Sequence, residues 1–104
     1  MYIVVLVTTK DEQEANAIAQ KLLENKLIAC ANIIANIKSI FSWQGKMDQA
    51  NETLLILKSQ QKFFPRLVQA VKSVHSYDVP EIIALPIVEG SDDYLNWIKT
   101  ETEK

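Results

Sequence analysis

The sequence predicts an α+β fold in which helices cover one face of an antiparallel sheet. Strand-like segments, with β-branched runs or alternating apolar residues, are separated by helix-like segments, whose apolar residues recur every three or four positions. Only 2 Gly and 3 Pro occur, so the strands and helices should be long. No composition shift or Gly/Ser-rich linker divides the chain, and we expect one domain over residues 1–104.

The first two predicted elements are a buried strand and an amphipathic helix. Residues 2–8 form a continuous β-branched and apolar run, which is typical of a strand buried on both faces. Thr9 and Glu12 have the spacing of a capping box, and Asn25 favours a left-handed helix end. The helical stripe between them consists of Ala15, Ile18, Ala19, Leu22 and Leu23.

A long β-hairpin is predicted next. Residues 28–43 alternate, Gln44 and Gly45 form the turn, and residues 46–59 return as the second strand. The alternation places a mainly apolar set on one face of the first hairpin strand: Ala29, Ala31, Ile33, Ala35, Ile37, Phe41 and Trp43.

The last third of the chain predicts a helix, a short strand and a final helix. Residues 63–74 have a helical period, with Pro65 near the first turn and the stop at residues 79–80. Residues 81–88 form the strand, and Ser91 caps a helix whose inner stripe is Tyr94, Leu95 and Ile98. The order β-α-β-β-α-β-α predicts a ferredoxin-like βαββαβ sandwich with an extra C-terminal helix.

Composition and charge exclude several classes of function. A formal net charge of −2 without a basic stripe argues against nucleic-acid binding. The longest apolar run, residues 3–7, is too short for a membrane span, and no signal peptide is apparent. One cysteine allows no disulfide within the chain, so we expect a cytoplasmic protein. Gly45 and Gly90 are isolated, which argues against a phosphate-binding loop.

The predicted hairpin is too long for the rest of the fold. Sixteen extended residues span roughly 53 Å, whereas the first strand spans only about 23 Å. The far half of the hairpin would carry Ile40, Phe41 and Trp43 into water. We therefore expect a symmetric homo-oligomer. The alternative is a bend that folds the hairpin back onto its own sheet.

These segments closely resemble the CutA family of divalent-cation tolerance proteins, over essentially the whole chain. The resemblance implies a compact, cytoplasmic homotrimer that binds copper and other divalent cations. No enzymatic reaction is settled for that family, and we expect neither an enzyme nor an organic cofactor. Three departures are Ser76 for a usual proline, Ser42 for a usual aromatic residue, and residues 35–36, Ala-Asn, for a usual Pro-Gly. The matching segments are 29–34 (ACANII), 39–46 (SIFSWQGK), 52–58 (ETLLILK), 75–83 (HSYDVPEII), 85–87 (LPI) and 94–98 (YLNWI).

Cys30 and His75 are the candidate metal ligands. A thiolate and an imidazole suit copper or zinc. Two ligands do not close a site, so several chains around an axis, or Glu52, Asp48 or water, would complete it. We therefore expect weak metal binding rather than a dedicated high-affinity site. Cys30 could instead be a small buried residue, and His75 could interact with a helix C-terminus.

A second hypothesis is a small-molecule sensor whose ligand lies in clefts between three subunits. The matching segments supply aromatic, cationic and acidic side chains suited to a small anionic or amphipathic ligand. In the alternative interpretations, Trp43 packs in an interface, Lys58 extends along the surface from the end of its strand, and Glu81 caps backbone amides at the start of the next strand. A Cys–His enzyme is a third option, but no group is evident to orient that pair. The cleft candidates are Trp43, Glu52, Lys58, Tyr77 and Glu81.

Overall fold

The computed structural model describes residues 1–103. Four antiparallel strands form one sheet in the order β2-β3-β1-β4, which is the ferredoxin-like arrangement that the sequence predicts. The elements are β1 (Tyr2–Thr9), α1 (Glu12–Glu24), β2 (Cys30–Trp43), β3 (Lys46–Gln60), a 3-10 turn (Gln61–Phe63), α2 (Phe64–Val74), β4 (Ile82–Pro86) and α3 (Asp92–Thr102).

The hydrophobic core lies between the sheet and the helices α1 and α2. Alternate residues of β1 and β3 are buried there, and each such side chain contributes roughly 1.5–3 kcal/mol by leaving water. The core includes Val5, Val7, Leu22, Leu55, Leu57, Leu67 and Val71.

The ends of α1 differ from the prediction. Asp11, not Thr9, is the N-cap, since its side chain accepts a hydrogen bond from the Glu14 backbone N–H at 2.8 Å. Thr9 instead donates its hydroxyl to the Asp11 carbonyl. The left-handed residue after the helix is Lys26, with φ of 55°, rather than Asn25. Any of several polar residues near a helix start can act as the cap, so the spacing alone misplaced it by two residues.

The helical period predicts the end of α2 correctly at residue 74 but not what stops the helix, and β4 is shorter than predicted. The helix α2 ends at Val74, because His75 has extended backbone angles, so residues 79–80 do not stop it. The strand β4 covers Ile82–Pro86 instead of residues 81–88. Ser91 does cap α3, but the buried positions of this helix are Ile98 and Thr102, whereas Tyr94 is 42% exposed.

A β-bulge interrupts the alternation of β2. Ile33 lies opposite Leu55, whereas Ile37 lies opposite Glu52, so the ladder between them has an extra residue in β2. Asn36 supplies the left-handed angle, with φ of 61°. The predicted single apolar face is therefore wrong beyond the bulge, since Ile37 follows the alternation of the opposite sheet face.

The sheet face opposite α1 and α2, here called the open face, is apolar and largely uncovered. The helix α3 packs against one end of it, where the Gln60 side chain donates to Thr102 Oγ1 at 2.9 Å. Three large side chains of this face, Ile34, Ile83 and Leu85, are about half exposed. The open face consists of Val4, Leu6, Ile34, Leu54, Ile56, Ile83 and Leu85.

The β2–β3 hairpin extends past the sheet as predicted. The strand β1 ends opposite Thr53, and from Glu52 to the turn β3 pairs only with β2. Gln44 and Gly45 both have positive φ, which fits a two-residue hairpin turn. Ile40, Phe41, Trp43 and Met47 are exposed along this extension. Within residues 1–103 the hairpin does not fold back onto its own sheet.

Candidate functional site

A cluster of polar side chains lies where β1 ends and α2 stops. The His75 ring donates from Nε2 to the Thr8 carbonyl at 2.8 Å. The Tyr77 backbone N–H donates to His75 Nδ1 at 3.0 Å, so Nδ1 must be unprotonated. Both ring nitrogens are thus occupied by backbone partners, and the ring fixes the course of the chain after α2.

Tyr77 connects this segment to the start of the hairpin extension. Its hydroxyl donates to Glu52 Oε2 at 2.7 Å, and the Glu52 residue is only 9% exposed. Burial, followed by the hydrogen bond to Glu52, raises the pKa of Tyr77 well above its ordinary value. The His75 and Tyr77 rings are also in contact, with centroids 4.8 Å apart. We call these three residues the His75–Tyr77–Glu52 cluster.

Glu14 joins the same region from the first turn of α1. Its Oε2 accepts from the Ser76 backbone N–H at 2.8 Å, and its Oε1 accepts from the Lys10 backbone N–H at 3.2 Å. Partial burial raises the pKa of Glu14, but the hydrogen bonds from Ser76 and Lys10 outweigh it and the pKa is lowered overall. The carboxylate therefore holds the segment after α2 against α1.

Cys30 lies in a second polar group, on the open face. It is partly exposed and stands opposite Lys58 in the β2–β3 ladder. Lys58 Nζ donates to Asn32 Oδ1, two residues further along β2. Burial and then the neighbouring Cys30 raise the pKa of Tyr94 in α3. Tyr94 therefore lies close to Cys30.

The two predicted metal ligands do not meet within one chain. Cys30 pairs with Lys58, which in turn pairs with Val4, so Cys30 lies beside Val4 across the sheet. His75 contacts Thr8, which is roughly 13 Å further along β1 at 3.3 Å per residue. Among the described residues, no group of three or more His, Cys, Asp or Glu side chains could hold a metal ion. The donor set of a single chain therefore does not fit a closed metal site.

Of the five predicted cleft residues, only Glu52 and Tyr77 are in contact. Trp43 is 52% exposed at the hairpin end, and Lys58 belongs to the group around Cys30. Glu81 is exposed before β4, and its side chain has no hydrogen bond or ion pair within residues 1–103. A cleft that includes all five would need more than one copy of the chain.

The sequence interpretation missed three polar residues in these two groups: Glu14, Asn32 and Tyr94. Asn32 lies two residues after Cys30, so the strand period places both on one face. Glu14 follows Asp11 at the spacing of a capping box. These two signals were present in the sequence, whereas the contact of Tyr94 with Cys30 depends on how α3 docks.

Comparison with known proteins identifies the family. Residues 3–101 match the family described as CutA1 divalent ion tolerance protein. The chain belongs to the CutA1 family. A CutA1 relative, the divalent-cation tolerance protein CutA of Thermus thermophilus, is 46% identical over 99 residues, which are 95% of this chain and 96% of the relative. Protein CutA of Homo sapiens is 42% identical, over 93% of this chain but only 54% of the human protein.

Solved CutA1 structures share the fold. The structure of the divalent cation tolerance protein from Thermus thermophilus superposes with a TM-score of 0.96 at 45% identity and covers 98% of this chain and 99% of that one. The Archaeoglobus fulgidus structure, titled a periplasmic divalent cation tolerance protein CutA, has a TM-score of 0.95 at 40% identity, covering 98% and 99%. The family is named for a tolerance, not for a reaction. None of the helices within residues 1–103 has the length and apolar character needed to cross a bilayer.

Proposed function

We propose that this CutA1 chain acts as a cytoplasmic, non-enzymatic homotrimer in divalent-cation tolerance. It binds copper or other divalent cations through ligands that more than one copy supplies. The observation that carries the proposal is the open face, an apolar sheet surface on which Cys30 also lies.

The open face supports the assembly because it is too apolar to remain in water. Ile83 is 50% exposed and Leu85 is 47% exposed, while α1 and α2 cover only the other side of the sheet. The hairpin extension adds a second exposed apolar surface. Contiguous surfaces of this kind mark protein–protein interfaces, and closed symmetry covers both in every copy. Three is the number of copies that the family resemblance implies.

Assembly would also supply the missing metal ligands. One thiol per chain on a surface shared by several copies gives several thiols near one interface. Thiolates favour soft or borderline metal ions such as copper and zinc. His75 can join such a site only if one ring nitrogen gives up its backbone partner, Thr8 or Tyr77. Cys30 is therefore the ligand that the geometry favours.

Sedimentation equilibrium tests the assembly. We expect the wild type to sediment as three chains of 11.8 kDa. Leu85→Glu places a charge on the open face and should give monomers, whereas Val88→Glu, at an apolar residue that is 87% exposed after β4, should leave the trimer intact. A monomeric wild type, or identical behaviour of the two variants, contradicts the proposal.

Calorimetric titration with Cu²⁺ and Zn²⁺ tests the metal site. A shared site predicts one ion per trimer, not one per chain. Cys30→Ala should abolish this binding of one ion per trimer. The Leu85→Glu monomer should also fail to bind the ion, although it still carries the thiol. His75→Gln should change the affinity little. Tight binding at one ion per chain in the monomer contradicts ligands shared between copies.

A small-molecule sensor is the second candidate function, and the His75–Tyr77–Glu52 cluster favours it. The Glu52 carboxylate is 9% exposed and accepts a hydrogen bond from Tyr77 beside the exposed hairpin. In a cleft between copies, it would be a preoriented hydrogen-bond acceptor for a ligand. A ligand-dependent rise in melting temperature that Trp43→Phe or Lys58→Gln removes would support the sensor. Metal titrations that these variants leave unchanged would separate the two functions.

A further inference from the structure

A groove of about 540 Å³ lies at the end of the sheet remote from the hairpin. The turn after α1, the start of α2 and the last turn of α3 form its walls. Gln60 pairs with Tyr2 at this end, whereas the hairpin extends from the other end, beyond Thr53. The groove is therefore separate from both polar groups described above.

Cationic side chains converge on this groove although the whole chain is acidic. Lys26, Lys62 and Arg66 line it in a protein with a formal net charge of −2, and Arg66 is the only arginine of the sequence. Lys62 is paired with Glu103 at 2.6 Å. Within residues 1–103, neither Lys26 nor Arg66 has a side-chain hydrogen bond or ion pair. Among the described residues, Glu24 is the one other carboxylate in the lining.

Phe63 holds two of these cations in place. Its ring is anchored in the core with 8% exposure. The Arg66 Cζ lies 5.0 Å from the ring centroid, and Lys62 Nζ lies 5.4 Å from it. A guanidinium stacked on a buried ring is limited in its motion, so its N–H groups are oriented before any ligand arrives.

We propose that this groove binds a small, multiply charged oxyanion such as phosphate or a polycarboxylate. The Arg66 guanidinium donates two parallel hydrogen bonds to the anion, and Lys26 adds a point charge from the other wall. Among the described lining residues, three cations against Glu24 and Glu103 leave an excess of one positive charge, which favours a small anion over a nucleic-acid strand. The site is independent of the proposed metal and cleft functions, since it shares no residue with them.

Titration with inorganic phosphate, and separately with citrate, tests the proposal on the full chain. Amide chemical shifts in ¹⁵N-labelled protein should move at Lys26, Lys62 and Phe63, and saturate at millimolar anion. The Arg66→Gln variant should weaken binding by about tenfold, the scale of one lost charge-assisted contact. Lys72→Gln removes an exposed charge from the same helix outside the groove and should leave the affinity unchanged.

The two anions also separate the ligand classes. Saturable binding of phosphate alone indicates a phosphorylated ligand, and tighter binding of citrate indicates a polycarboxylate; either result supports the oxyanion site. Equal weakening by Arg66→Gln and Lys72→Gln, shifts spread over all lysines, or an absence of saturation would overturn the proposal. Metal titrations of the Arg66→Gln variant should match the wild type.

Discussion

Replacing Tyr77 with phenylalanine removes one hydrogen bond whose energetic contribution follows from the geometry. The hydroxyl donates to Glu52 Oε2 at 2.7 Å, and the acceptor is a carboxylate with little access to water. Hydrogen bonds to charged groups contribute about 1.5–3 kcal/mol, and the buried carboxylate of Glu52 would lose its partner. We therefore expect Tyr77→Phe to lower the free energy of unfolding by about 2 kcal/mol.

Guanidinium unfolding at one fixed protein concentration measures this loss, since the stability of an oligomer depends on concentration. Tyr2→Phe is the matched control, because the Tyr2 hydroxyl has no hydrogen bond within residues 1–103. A double-mutant cycle with Glu52→Gln isolates the pair, and its coupling energy should exceed about 0.5 kcal/mol. Equal losses in Tyr77→Phe and Tyr2→Phe, or no coupling, would refute the assignment of this stability to the Tyr77–Glu52 bond.

Three further predictions concern pH and the bulge. Because the pKa of Tyr77 is raised, its contribution to stability is complete below about pH 10 and is lost as pH rises through the folded pKa. In alkaline unfolding titrations, the difference in unfolding free energy between wild type and Tyr77→Phe should therefore shrink. Because the pKa of Glu14 is lowered, its contribution to stability is present above about pH 4.3 and is lost as pH falls through the folded pKa. The stability of Glu14→Gln should therefore fall less than that of the wild type in acid unfolding titrations. Asn36→Ala should lower the free energy of unfolding in urea by about 1 kcal/mol, because alanine at positive φ is strained and lacks the local hydrogen bonding of asparagine. Asn36→Gly should not lower it. Equal unfolding midpoints for the two variants would show that the bulge relaxes.

Local patterns predicted the order of the elements because each is encoded by neighbouring residues. The alternation of β2, the turn at Gln44 and Gly45, and the Ser91 cap all depend on short stretches of consecutive positions. Element ends were less predictable. The helix α2 gives way to extended backbone at His75, whose ring binds the Thr8 carbonyl, and that partner is 67 positions away in the sequence.

The site residues were predictable as types but not as pairs. Tyr77 and Glu52 were both candidates, yet their contact needs the end of α2 and the start of the hairpin extension to meet. The roles of Cys30 and His75 as metal ligands stay predictions. Their separation along β1 could not be read from the sequence, because local patterns do not give the register of the strands or the point where His75 meets the sheet.

The bulge at Asn36 gives one strand two separate tasks. Before it, odd-numbered residues such as Ile33 pack beneath the chain's own helices; after it, Ile37 and its odd-numbered successors follow the other side of the sheet. Without the extra residue, the odd-numbered residues of β2 would face the same side of the sheet along the whole strand, including the extension. Ile37 and the odd-numbered residues after it are therefore not part of the subunit's own core. Deleting one residue at Asn36 would exchange the two sets of side chains across the whole extension.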